Sequence, residues 1–350
     1  MNTTVAAADM ERAIRARKTE LGDRLVILTH HYQRPEIVAL GDLRGDSYEL
    51  SKLAAQTAAE WIMFCGVHFM AQAAAVLARP EQRVVLPNHD AGCPMADMAA
   101  APDVNRALDD IARLQPGRRV VPLAYMNTLA EVKAVVGERG GAICTSSNAR
   151  QAFDWAYQRG DVVLFVPDEY LGRNTARQQG LNEEEIALYD PQRGALGGCS
   201  ERELASARLV LWGGYCHVHT WFRPEQVDEA RRLWPGCQVH VHPECRTEVV
   251  ARADGAGSTG YLVRMVEQAG PGSTVIVGTE FNLVRRLALE HPDRRVLPLD
   301  RSLCPNMART TTRHLLNALS RLPGLAPIAV DEAQQRGARL ALERMLEIGG

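Results

Sequence analysis

Leu25–Tyr32 reads LVILTHHY, an apolar run with three β-branched residues, Val26, Ile27 and Thr29, that ends in imidazoles and a phenol. A short run apolar at successive positions predicts a strand covered on both faces, as in a parallel sheet. The pattern returns at Val120–Asn127 (VVPLAYMN) and Leu209–Cys216 (LVLWGGYC). The spacing is roughly 90 residues, the signature of a repeated unit. Each opening runs into a helical pattern: Glu49–Ala59, Leu129–Val136 and Pro224–Leu233. Further strands are predicted at Trp61–Phe64, Val84–Leu86, Ala142–Cys144, Val162–Val166, Val239–Val241, Thr274–Val277 and Val296–Leu299. The expected fold class is α/β: three homologous three-layer α/β/α units with parallel sheets. The expected boundaries are 1–115, 116–204 and 205–289, the third unit opening at Leu209. The segment 290–350 is expected to pack back on the first unit, since the helical pattern Val330–Ile348 has no strand of its own.

Composition excludes several classes. The chain has 350 residues, 40 Lys+Arg against 42 Asp+Glu, and a formal net charge of −2. That is not a polybasic nucleic-acid binder. No apolar run approaches the roughly 18 residues of a membrane span. Asp9 and Glu11 precede any long apolar stretch, so no secretory signal is expected and the predicted location is cytoplasmic. Eight cysteines, with no C-x-x-C pair, are too sparse for a disulfide scaffold and lack the spacing of a zinc ribbon or ferredoxin. Ligands far apart in sequence would escape such arithmetic.

In open parallel α/β units, ligands bind beyond the carboxyl ends of the strands. The expected strand ends deliver His30, His31 and Tyr32; His89, Asp90 and Cys93; Tyr125 and Asn127; Tyr215, Cys216, His217 and His219; His242, Pro243 and Glu244; Gly278, Thr279 and Glu280; and Cys304. Ordinary loops are rich in Gly, Asn and Ser, not in His, Cys, Tyr and Glu. Three units facing one another would bring these groups to one central cavity. Gly45-Asp46-Ser47, Thr145–Asn148 and Gly257–Gly260 each open a helical pattern. Hydroxyls and free N–H groups at helix N-termini hold anions, although plain N-capping uses the same residues.

The stretches LTHHY (28–32), CGVHFM (65–70), AGCPMAD (91–97), AYMNT (124–128), CTSSN (144–148), GYCHVH (214–219), HPEC (242–245), GSTG (257–260) and CPNM (304–307) together resemble quinolinate synthase. The resemblance implies a pseudo-threefold arrangement of the units around a central [4Fe-4S] cluster. It implies condensation of iminoaspartate with dihydroxyacetone phosphate to quinolinate, in NAD biosynthesis, and an enzyme partner that supplies iminoaspartate. It places the cluster on Cys93, Cys216 and Cys304, leaving Cys65, Cys144, Cys199, Cys237 and Cys245 structural. Three thiolates leave one iron open as a Lewis acid. By the same resemblance Glu244 is the general base, with His30, Tyr32 and His219 as further catalytic groups. His30, Tyr125, Asn127, His242 and Glu244 are expected to bind substrate, and Ser47, Ser146, Ser258 and Thr259 to seat its phosphate or carboxylates. A carboxylate near anionic substrate in a partly desolvated cavity is expected to have a raised pKa at Glu244.

The chain departs from its relatives at several places. Arg301 and Pro298 stand where some members carry cysteines, Ala308 replaces a Lys, His31 replaces an Asn, and His217 adds an imidazole. His31 and His217 are expected beside the site rather than as ligands. Two other readings use the same residues: a different [4Fe-4S] hydro-lyase, and a cluster-containing sensor of an acidic metabolite. A sensor needs an output element, and no basic helix or interaction tail is visible.

Overall fold

Each strand pattern named above forms a strand in the computed structural model, which describes residues 2–349. The first sheet holds β1 (Leu25–His30), β2 (Leu43–Gly45), β3 (Trp61–Cys65) and β4 (Arg83–Val85) in the order β2-β1-β3-β4. The middle sheet holds β5 (Val120–Tyr125), β6 (Ala142–Cys144), β7 (Val162–Val166), β8 (Ile186–Tyr189) and β9 (Leu209–Trp212), ordered β6-β5-β7-β9-β8. The third holds β10 (Gln238–Val241), β11 (Gly255–Ala256), β12 (Thr274–Gly278) and β13 (Arg295–Pro298), ordered β11-β10-β12-β13. All pairings are parallel. The central strands β1, β3, β7 and β9 are buried along their whole length, as continuous apolar runs require. In each sheet the second strand returns outside the first, and the reversal opens a crevice at the strand ends.

Two expectations need correction. Leu209–Trp212 does not open the third sheet: β9 pairs with β7 and β8 inside the middle one. An apolar run shows that a strand is buried, but not which sheet takes it. The third sheet begins at Gln238 instead. The segment 290–350 also does not pack as one body on the first unit. β13 joins the third sheet beside β12. The helix Thr312–Ser320 lies against the N-terminal helix Asn2–Leu21, where Arg17 donates to the carbonyls of Leu319 (3.2 Å) and Leu322 (2.9 Å). The terminal helix Glu332–Ile348 packs chiefly on the helix Ala130–Glu138 and on β6.

That last crossing depends on two glycines. A β-carbon on Gly137 would stand 1.8 Å from the Gly337 carbonyl oxygen, and one on Gly337 would stand 2.6 Å from that of Ala134. Backbone therefore rests on backbone, and Arg344 ties the contact by donating to the carbonyls of Gly137 (3.0 Å) and Gly141 (2.6 Å). Among the described residues no helix is long and apolar enough to cross a membrane.

Candidate active site

Loops from the carboxyl ends of all three sheets wall one cavity. From the first sheet come His30, Tyr32, Ser47 and Cys93; from the middle one Tyr125, Asn127, Ser146, Cys216 and His219; from the third His242, Glu244, Thr259 and Cys304. His217 lies on the same wall. Val67, Phe69, Met70, Met95, Val218 and Met307 make the rest largely apolar.

Ser258 stands apart from this set. Its side chain does not line the cavity; it caps the helix Thr259–Gln268 by accepting the Tyr261 N–H at 3.3 Å. His31 is turned away as well, with Nδ1 2.9 Å from Arg286 Nη2, and burial holds its imidazole neutral, at about 2.

The imidazoles are fixed by short-range bonds. The Tyr32 N–H donates to His30 Nδ1 at 3.1 Å, and burial pushes the His30 pKa down to about 4. Burial, then the neighbouring His219, lowers His242 to about 3. His219 and His242 stack with centroids 4.3 Å apart. His219 Nδ1 lies 2.7 Å from Glu244 Oε2, both side chains being almost wholly buried. Its Nε2 lies 3.1 Å from Thr279 Oγ1, which bonds Tyr32 OH at 2.7 Å. Thr259 donates to the same Tyr32 oxygen at 3.1 Å.

Glu244 corrects the expectation of a raised pKa. Burial does push its carboxyl up. His219, His242 and the hydrogen bonds from His219 and Tyr125 outweigh it and hold the carboxyl at about 2. The group is a carboxylate, and its partner His219 is oriented by it in the manner of a catalytic His–carboxylate pair. Burial raises Tyr32 and Tyr125 well above the ordinary phenol range, so both are hydrogen-bond donors at neutral pH.

Among the residues lining the cavity there is no Lys or Arg. Positive potential must come from elsewhere. The helices Ser47–Gln56, Ala149–Tyr157 and Thr259–Gln268 start at or beside this wall, and each N-terminus is the positive end of a helix dipole. The Asp46 carboxylate takes the N–H groups of Tyr48 and Glu49, both at 3.0 Å, and accepts Ser147 Oγ at 2.7 Å across the first and middle sheets.

The three cavity cysteines suit a thiolate-held iron–sulfur group. Behind the dominant effect of burial, and of Glu244 for Cys216, Cys93 and Cys304 lie close enough to raise the pKa of Cys216, and Cys304 that of Cys93. Burial carries Cys93 to about 12 and Cys304 to about 11 and raises Cys216 well above the ordinary thiol range, a cost that a bound cation would offset in favour of the thiolates. Backbone N–H groups already point at the sulfurs: Met307 N donates to Cys304 Sγ at 3.5 Å, and those of Met95 and Ala96 to Cys93. Cys199, Cys237 and Cys245 instead donate to the carbonyls of Leu188, Ala230 and Gly278. Cys65 and Cys144 are buried in hydrophobic cores. Cys216, His219 and Glu244 also have ligand atoms within 4.8 Å of one another.

Two neighbouring groups carried no role in the sequence reading. Thr279 follows β12 and bridges Tyr32 and His219. Asp168, two residues beyond β7, is fully buried; burial, then Glu244, raises its carboxyl well above the usual range. Its Oδ1 accepts the Leu171 N–H at 2.7 Å, and its other oxygen has no hydrogen-bond partner. The strand-end rule reaches both, but a Thr and an Asp at a helix start are common enough to pass as caps.

Residues 12–347 match the family model described as quinolinate synthetase A protein. Among curated relatives, the quinolinate synthase of Acidobacterium capsulatum is 46% identical over 97% of this chain and 93% of its own length. That of a Nocardioides species is 46% identical over 97% and 89%. That of Bacillus subtilis is 42% identical over 97% and 93%.

Proposed function

The chain belongs to the quinolinate synthase family and is an enzyme of that type, and from that premise we propose that it joins iminoaspartate to dihydroxyacetone phosphate, releasing phosphate and water to give quinolinate. The observation that carries this reading is the convergence, from three sheets, of three cysteines and a buried Glu–His–Thr–Tyr chain on one cavity. Cys93, Cys216 and Cys304 would hold a [4Fe-4S] cluster. Bound there, it would supply a Lewis-acidic iron that eases departure of an oxygen leaving group.

The chain's own residues perform the rest. Both substrates are anionic, and the wall offers hydroxyls and helix N-termini rather than cations. Ser47, Ser146 and Thr259 seat phosphate and carboxylate there, with Ser258 holding the last helix start in place. Tyr125 and Asn127 orient the carboxylate-bearing portion, and His30 and His242, both neutral, serve as hydrogen-bonding partners for substrate oxygens. The proton-accepting unit is the Glu244–His219 pair, in which the buried carboxylate orients the imidazole at 2.7 Å. Tyr32 OH, on the same chain, returns a proton to a leaving oxygen. The largely apolar wall excludes water and strengthens each of these interactions.

The deciding experiment is anaerobic purification followed by chromatographic detection of quinolinate from the two substrates. A fully loaded protein that forms none would sink the reading. The Cys216, His219 and Glu244 triad favours a second reading, a single divalent metal. Iron and acid-labile sulfide analysis separates the two: four of each per chain for the cluster, one metal and no sulfide for the triad. The unpaired thiols agree with a reducing, cytoplasmic setting, where an enzyme releasing iminoaspartate would be the natural partner.

A further inference from the structure

Lys133 is fully buried on the helix Ala130–Glu138, and the reaction above gives it no task. A lysine is almost never buried whole unless its amine has partners inside. Arg286, also buried, pairs with Glu290 at 2.7 Å. Lys133 differs. Its hydrogen bonds go to the carbonyls of Met126 (2.8 Å) and Thr128 and to the Thr128 hydroxyl (3.3 Å), none to a carboxylate. The backbone of one short segment, not an ion pair, holds this amine inside.

That segment carries a cavity residue. Met126 and Thr128 are fully buried, while Asn127 between them lines the cavity, its Oδ1 without a hydrogen-bond partner. The two carbonyls that Lys133 holds belong to the residues on either side of Asn127, so one amine pins the segment at both ends of the residue that faces the cavity. The Thr128 hydroxyl in turn donates to the Tyr125 carbonyl at 3.1 Å, which draws the second cavity residue into the same knot. Other ties are few: the Met126 N–H donates to the Cys144 carbonyl and the Thr128 N–H to that of Met126, both at 2.8 Å. Burial lowers Lys133 to about 7, yet a neutral amine keeps two N–H groups, one for each carbonyl. The clamp needs donors, not charge.

We propose that Lys133 is a positioning residue: its amine clamps the carbonyls of Met126 and Thr128 and so aims the Asn127 side chain at the carboxylate-bearing portion of the substrate. The inference rests on the reading of Asn127 as a substrate-orienting group in the reaction above.

The test compares loaded wild type with Lys133→Met, which keeps the apolar stem and removes the donors, and Lys133→Gln, which keeps two N–H donors on a neutral head. Lys133→Met should lower kcat/KM by roughly 10- to 100-fold, the scale of a small misplacement of a substrate-orienting group. Lys133→Gln should recover at least about 3-fold of that loss. In an Asn127→Ala background, adding Lys133→Met should cost less than about 2-fold, because the group it aims is already gone. Wild-type kcat/KM in Lys133→Met, a Gln variant no better than Met, or equal losses with and without Asn127 would each overturn the proposal. Hydrogen exchange reads the clamp without turnover. In Lys133→Met the amides of Met126 and Thr128 should exchange at least roughly 10-fold faster, with those of β7 unchanged. Unchanged exchange at 126 and 128, or an equal rise in β7, overturns it as well. If Lys133→Met does not fold, the Asn127 cycle is run with Lys133→Gln: no loss, or a loss that Asn127→Ala abolishes, supports the clamp, and equal losses overturn it. A wild type that makes no quinolinate would refute the proposed reaction and leave hydrogen exchange to decide on Lys133.

Discussion

Glu244 shows what one residue type can and cannot announce. His242-Pro243-Glu244 after a predicted strand puts a carboxylate at a strand end, which the family resemblance makes the expected base, but its charge state depends on His219, 25 residues away in sequence and 2.7 Å away in space. Glu244→Gln keeps size and most hydrogen bonding while removing the charge that orients His219. Turnover should fall on the order of 10²-fold or more with the iron–sulfur absorbance intact, and a loaded variant with near-normal turnover would place the base elsewhere. Lys133 passed unremarked in sequence as a helix residue. It is fully buried, its ammonium donates to the carbonyls of Met126 (2.8 Å) and Thr128, and burial lowers it to about 7. The folded protein therefore sheds this proton above about pH 7, while the unfolded chain keeps it to about 10.5. Stability from this group rises with pH across that window, by up to about 1.4 kcal/mol per unit. Denaturant melts at pH 7 and 9 should show the wild type gaining on Lys133→Met; parallel curves would refute the assignment.

At the scale of elements, strands were legible wherever both faces are covered. The edge strands β2, β8 and β11 were not, because two to four partly exposed residues carry no readable period. The serine-rich helix starts were visible as caps, but capping and ligand seating use the same hydroxyl, and only the direction of the side chain separates them. Ser258→Ala should therefore lower stability by about 1 kcal/mol, the usual cost of an N-cap, and leave KM within about 2-fold; a large rise in KM would return Ser258 to the substrate. The Gly137–Gly337 crossing makes a sharper claim. Gly137→Ala puts a methyl into a backbone carbonyl and should cost on the order of 2–3 kcal/mol, read as a fall in the unfolding free energy. An unchanged value would mean that the terminal helix does not sit there.

Over the whole molecule, the three cavity cysteines come one from each sheet. Cys93 follows β4, Cys216 follows β9 and Cys304 follows β13, so a group bound to all three links three separately hydrogen-bonded sheets. A ligand that binds only the folded state stabilises it. Stripping the iron should lower the melting midpoint. Cys93→Ser, Cys216→Ser and Cys304→Ser should each remove most of the brown absorbance, and Cys199→Ser and Cys237→Ser should leave it. Loss of the absorbance in the latter pair, with Cys93→Ser unaffected, would reverse the ligand assignment.

By itself the sequence determined the α/β class, the positions of the long strands and the residue types at their ends, because these follow from local periodicity and from the rule that parallel sheets bind ligands at their carboxyl ends. It did not determine that Leu209–Trp212 joins the middle sheet, that the terminal helix lies on Ala130–Glu138, or that Glu244 is held ionised. Which sheet takes a buried strand is set by strands distant in the chain, and a buried carboxyl's charge by partners brought from another sheet. Both are long-range terms with no local period. Only the tertiary structure brings Tyr32, His219, Glu244 and Thr279 within hydrogen-bond reach and so decides which of the strand-end residues work together.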